Sequence, residues 1–81
     1  MREGVQPKKN SIQPQKLLLS KWTAVSPQSQ RKHFLVTRVL QPEPPTLILE
    51  WIELEAVMDR STRLLCWHDL KDRQVWLRGW L

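Results

Sequence analysis

The chain has no tyrosine, one phenylalanine, one cysteine and only two glycines among its 81 residues. Each shortage excludes something. A single thiol, Cys66, rules out an internal disulfide and any multi-thiolate metal centre. Gly4 and Gly79 stand 75 positions apart, so no glycine-rich loop that cradles phosphate can form. Runs of consecutive apolar side chains are short, Leu17–Leu19 and Leu47–Leu49 among them, far below the roughly 20 residues a helix needs to cross a bilayer. The first nine residues, Met-Arg-Glu-Gly-Val-Gln-Pro-Lys-Lys, have no apolar core and do not read as a signal peptide. The expectation is one small domain of the reducing cytoplasm, with no membrane insertion.

What the chain does have is tryptophan. Trp22, Trp51, Trp67, Trp76 and Trp80 are five large rings in a short sequence. A buried indole removes roughly 150–250 Å² from water, and a domain this small has little other means of filling a core. Three or four of the rings are therefore expected inside, Trp22 and Trp67 among them. Trp51 is expected outside, because it shares a strand face with Glu53 and Glu55.

Charge is the second asymmetry. The net charge is +5, but residues 1–41 carry +7 and residues 42–81 carry −2. A basic front half suggests a face or arm that meets an acidic partner; the plainer reading is a solvated stretch that keeps the chain in solution.

Along the chain, residues 1–11 are polar and aperiodic and read as a flexible basic arm, which leaves residues 12–81 as a single domain. Pro14 suits the first turn of a short helix over Gln15–Leu19, one that persists only if Leu17–Leu19 dock on the rest. Lys21–Val25 and His33–Leu40 have strand character, with a turn at Ser26-Pro27-Gln28-Ser29 between them. Pro42, Pro44 and Pro45 then force an extended loop. Thr46–Met58 is the longest strand candidate. Ile48, Ile52, Leu54, Ala56 and Met58 share one face, broken only by Glu50, and Leu47, Leu49, Trp51, Glu53, Glu55 and Val57 share the other. From Glu50 onward the alternation is close to period two. Asp59-Arg60-Ser61-Thr62 is a turn, and Arg63–His68 returns as the partner strand. Residues 69–78 read either as a turn followed by a strand over Val75–Arg78 or as a helix, and the first fits the rest better. Gly79 is expected to end that element at positive φ. Four or five short sequential strands suggest an all-β fold, a small antiparallel SH3-like barrel whose closure removes exposed edges; the alternative is a three-stranded sheet packed by a C-terminal helix.

Catalytic chemistry is hard to assemble from this inventory. Cys66 and His68 would share a strand face, but a thiol–imidazole pair needs a third, orienting group, and as a metal site the set lacks a ligand. No enzyme, no cofactor and no metal are expected. Cations interleaved with rings could instead serve single-stranded nucleic acid, in three groups: Lys16, Lys21 and Trp22; Arg31, Lys32, His33 and Phe34; Arg73, Trp76, Arg78 and Trp80. A protein-binding surface uses the same residue types.

Several stretches in order are similar to a family of small tryptophan-rich bacterial proteins of unknown function, met in cyanobacteria and other aquatic bacteria. They are Ile12–Val25, Lys32–Thr37 (Lys-His-Phe-Leu-Val-Thr), Leu54–Val57 and Trp67–Asp72 (Trp-His-Asp-Leu-Lys-Asp), followed by Trp76 and Gly79-Trp80. Trp22, Trp67, Trp76 and Trp80 fall on the family's motif positions and Trp51 does not, while His68 stands where the family pattern implies Arg. The resemblance implies a cytoplasmic protein and no particular activity.

The functional expectation is a non-enzymatic interaction module, monomeric or weakly dimeric. Lys16, Lys21, Arg31, Lys32 and Arg38 would form a basic face that, with Trp51 exposed, docks an acidic protein partner. Binding of RNA or single-stranded DNA is the alternative. A third is an accessory subunit of a photosynthetic or respiratory complex, since acidic electron carriers favour basic docking faces.

Overall fold

The computed structural model describes residues 9–45 and 47–81. Among these the regular elements are five strands and two short 3-10 helices, with no α-helix. The strands are β1 (Lys21–Gln28), β2 (Arg31–Val39), β3 (Trp51–Ala56), β4 (Thr62–Cys66) and β5 (Trp76–Arg78). They make one antiparallel sheet in the order β4-β3-β2-β1-β5. The 3-10 helices span Pro14–Lys16, with proline in the first turn as expected, and Trp67–Lys71.

Period-two alternation dictates which face is dry. Phe34 and Val36 on β2 stand opposite Ala56 and Leu54 on β3, and Ile52 stands opposite Val39. With Trp22 from β1 and Trp76 from β5, these side chains line the buried face, which the 3-10 helices close through Leu17, Trp67 and Leu70. Phe34 and Trp76 meet edge to face at 5.3 Å, the arrangement that ring quadrupoles favour. The opposite face carries Leu35, Glu55, Glu53, Trp51 and Leu64, in register across β2, β3 and β4.

The all-β class and the hairpin of β3 and β4 agree with the sequence reading, although β3 is shorter than the expected 46–58 strand. The hairpin turn lies over residues 57–60 rather than 59–62, since Ser61 O already accepts the Ala56 N–H and Thr62 pairs with Glu55. Also in agreement is β5, a strand where the alternative reading ran a helix to Arg78, although residues 69–71, expected as part of a turn, lie in the second 3-10 helix. Gly79, at φ 86°, agrees as well. The SH3-like closed barrel does not, because β4 and β5 end the sheet without pairing. The reason lies at β5. Val25 N–H bonds Val75 O and Gly79 N–H bonds Lys21 O, so alternation turns the backbone of Trp76 and Arg78 away from β1. Trp76 N–H is then taken by Asp72 O and Trp76 C=O by the Asn10 side chain. At Trp76 the outward edge of β5 is thus already bonded and not open to β4.

Three further expectations need correction. The helical turn is three residues rather than five, and only Leu17 docks, since Leu18 and Leu19 are 54% and 62% exposed. Most of the arm expected over residues 1–11 lies outside the described residues, but Lys9 bridges Asp72, and Asn10 N–H bonds Lys71 O. The strand expected over Arg63–His68 stops at Cys66, where the chain turns into the second 3-10 helix and His68 stacks on Trp67 with ring centroids 4.1 Å apart. Cys66 and His68 therefore do not share a strand face.

The β1–β2 turn also sits two residues later than the proline suggests. Gln28 pairs with Arg31, and Ser29 and Gln30 both have positive φ, at 53° and 63°. Two left-handed residues make a type I′ turn, whose twist matches the strands but which asks for Asn-Gly. Each left-handed non-glycine residue costs about 1–2 kcal/mol. Ser29→Asn/Gln30→Gly should therefore raise stability by about 1 kcal/mol, part of the relief being lost to glycine's greater freedom in the unfolded chain. The melting temperature should rise by about 4–8 °C. An unchanged or lowered midpoint in a thermal scan would contradict the turn assignment.

Candidate functional site

The residues expected to form one basic face are dispersed. Lys16, in the first 3-10 helix, borders a hollow of about 310 Å³ beside Leu17, Trp22 and Arg78 on the buried side of the sheet. Lys21 lies on the other face, its ammonium 4.7 Å from the centre of the Trp80 ring. Arg31 opens β2 and bonds Asp59, with Nε 2.9 Å and Nη2 2.7 Å from Oδ2. Lys32 beside it is exposed. Arg38 faces Glu53 at 3.7 Å. Trp51 is 46% exposed at the start of β3, opposite Cys66. Pleating places Lys21, Arg38 and Trp51 on the face that also bears Glu53 and Glu55, so that face carries both signs of charge.

Cations and rings do meet, by a different plan. Arg78 stands directly across from Trp22 on the neighbouring strand, its guanidinium 5.2 Å from the ring. Lys71 reaches Trp67 from four residues along, at 5.0 Å. Arg63 lies 5.6 Å from both Phe34 and Trp76. With Lys21 and Trp80, four of the five indoles carry a cation within the ~6 Å over which the ring quadrupole attracts it.

Arg63 heads the most site-like feature of the molecule. A cleft of about 540 Å³ opens between the start of β4 and the start of β5, where the sheet fails to close. Its floor is Phe34, Trp76 and Ala24; its walls bring Arg31 and Arg63 together with Ser26, Gln28, Ser61, Thr62 and Gln74. Two guanidinium groups and no carboxylate line it. The volume falls in the range of ligand sites, which are typically apolar with a few placed polar groups.

The two arginines differ in availability. Arg31 is held by Asp59, whose Oδ1 also accepts the Ser61 N–H and hydroxyl. The Arg31 hydrogen bond first, and those from Ser61 next, hold the Asp59 carboxyl well below the usual carboxylate range. Asp59 in turn raises the Arg31 pKa. Arg63 has ring contacts but no acidic partner among the described residues. Its guanidinium rests against the two rings with donors to spare, an arrangement suited to a carboxylate taken two-pronged.

Sequence reasoning missed Arg63, although a signal was present. In the β3–β4 hairpin Arg63 stands opposite Leu54 and so shares the face of the core. A cation at an apolar-face position is a conflict that function can explain.

No helix among the described residues is long and apolar enough to cross a membrane. Neither the curated proteins nor the solved structures contain a match to this chain. The family model of the tryptophan-rich proteins of DUF2389 matches residues 20–81. That span runs from the start of β1 through β5 and takes in all five tryptophans and Arg63, and the chain belongs to this tryptophan-rich family.

Proposed function

We propose that this protein is a non-enzymatic interaction module of the cytoplasm that captures an acidic segment of a protein partner in the cleft between β4 and β5. The observation that carries this reading is Arg63, set over Phe34 and Trp76 without an acidic partner, in a cleft lined by two arginines and no carboxylate. The basic residues near the front of the chain play a smaller part, because Arg38 and Arg31 already have carboxylates and Lys16 lies on the opposite side from Lys21. Long-range attraction from the +5 net charge speeds the encounter, while Arg63 holds the partner. Nucleic acid is a weaker candidate. Base stacking needs displayed rings; Trp76 is buried, and of the two exposed indoles Trp51 shares its face with Glu53 and Glu55 while Trp80 has Lys21 over its ring.

Tryptophan fluorescence reports directly, since Trp76 forms the cleft floor. Titration with a glutamate-rich peptide at ~50 mM salt should change the emission, and affinity should fall at ~500 mM as surface charges are screened. Arg63→Gln should weaken binding at least about tenfold, the equivalent of one charge-assisted hydrogen bond. Lys21→Gln should leave it nearly unchanged. Equal affinity in wild type and Arg63→Gln, or tighter binding of an oligonucleotide than of the peptide, would refute the proposal.

A further inference from the structure

We infer that the acidic segment binds as an added strand, pairing with the free edge of β4 and extending the sheet across the cleft; the inference rests on the cleft reading above. The hydrogen-bond phase of β4 leaves that edge available. Ala56 N–H bonds Ser61 O and Trp67 N–H bonds Glu50 O, so Ser61, Arg63, Leu65 and Trp67 turn their backbone toward β3. Alternation then points the N–H and C=O groups of Thr62 and Leu64 outward, with no further strand beyond them among the described residues.

The two edges of the sheet differ in kind. The β5 edge is blunted by Asp72 and Asn10 at Trp76. Natural edges are otherwise guarded by proline, lysine, a bulge or an inward-pointing charge. Strand β4, Thr-Arg-Leu-Leu-Cys, has no proline or lysine and pairs with β3 in unbroken register. The guard on this edge is Arg63, an inward-pointing charge that disfavours a basic or wholly apolar strand but is met by an acidic one. The edge beside the basic cleft is therefore a place for main-chain pairing, with side chains supplying selectivity.

The pleat also specifies the side chains of the occupant. A residue opposite Arg63 lies on the cleft side, where a carboxylate meets the guanidinium. A residue opposite Leu64 lies on the other face, beside Leu64 (53% exposed) and Trp51, where an apolar side chain fits. The occupant is thus a segment alternating acidic and apolar residues, about five residues long to match β4 and antiparallel to it, the stronger pairing per residue. A second copy of this chain fits less well. Pairing two β4 edges about Leu64 sets two Arg63 side chains diagonally across one face, within reach of long like-charged groups.

In antiparallel pairing the apolar residues, opposite Thr62 and Leu64, exchange the main-chain hydrogen bonds, while the acidic residue opposite Arg63 does not. The test uses the intact protein and three peptides of one alternating Glu-Val sequence: unmodified, N-methylated at valines, and N-methylated at glutamates. Valine methylation should weaken binding at least tenfold and glutamate methylation should not. Hydrogen exchange at the Thr62 and Leu64 amides should slow at least tenfold when the unmodified peptide binds. Equal binding of all three peptides with unchanged Thr62 and Leu64 exchange overturns strand addition but leaves the cleft reading intact. No binding by any acidic peptide overturns both. Slow, concentration-dependent exchange at those amides without peptide, together with a doubled mass in light scattering, shows a second copy on the edge and overturns the inference.

Discussion

Trp22→Ala should unfold much of the protein at room temperature. Trp22 has no exposed surface and is the largest fully buried side chain, and its removal leaves a void between β1 and the first 3-10 helix. Truncations of this size cost about 3–5 kcal/mol. A domain of this length has a total stability of only about 4–12 kcal/mol at the usual ~0.05–0.15 per residue. More than packing is lost. Trp22 Nε1–H donates to Ser20 Oγ at 2.8 Å, and the Ser20 hydroxyl donates to Leu17 O at 2.6 Å, so the indole also anchors the turn that carries the lid of the core. Trp22→Phe keeps the ring and drops the donor, and should cost about 1–2 kcal/mol, close to one hydrogen bond plus imperfect filling. Urea unfolding followed by circular dichroism measures both. A Trp22→Ala midpoint within experimental error of wild type would remove the indole from the centre of the core.

Leu17→Ala should also be strongly damaging, at about 2–4 kcal/mol. A single 3-10 turn has no cooperative stability of its own, and Pro14–Lys16 contains no buried residue. Leu17, fully buried just after it, is what pins this stretch to the core. Losing it frees the wall of the smaller hollow and exposes Trp22 from above. The neighbours supply the control. Leu18→Ala and Leu19→Ala should each change stability by less than about 0.5 kcal/mol, as exposed positions generally do. Equal effects at all three leucines would mean that the stretch docks differently.

Much of this architecture is written in local pattern. Alternation placed Ile52, Leu54 and Ala56 inside and Trp51 outside, as the structure has them. It also put Ile48 and Met58 on the inner face, and these lie beyond the ends of β3 at 70% and 61% exposed. A strand face has a strict period of two, so burial follows from composition without any knowledge of neighbours. The same rule failed at the first turn. Pro27 looks like a strand end, yet it lies inside β1, in the irregular stretch where register shifts between Thr23 and Gln28. A bulge accommodates what a regular ladder would reject. The basic face failed for another reason. Neighbours in sequence alternate between the two sides of a pleat, and their order does not say which carboxylate each will find. Arg31 meets Asp59 from 28 residues away, and Arg38 meets Glu53 across the β2–β3 pairing.

The amino-acid order by itself determined an all-β chain, the β3–β4 hairpin, the burial of Trp22 and Trp67 and the exposure of Trp51, because each depends on periodicity and on the free energy of hiding apolar surface. Only the tertiary structure decided that the sheet stays open, that Asn10 and Asp72 block one of its edges, and that Arg63 comes to rest on Phe34 and Trp76. Those outcomes depend on contacts between residues far apart in the chain. Backbone donors and acceptors at an edge bond whichever group the fold brings to them, and no local pattern says which that will be.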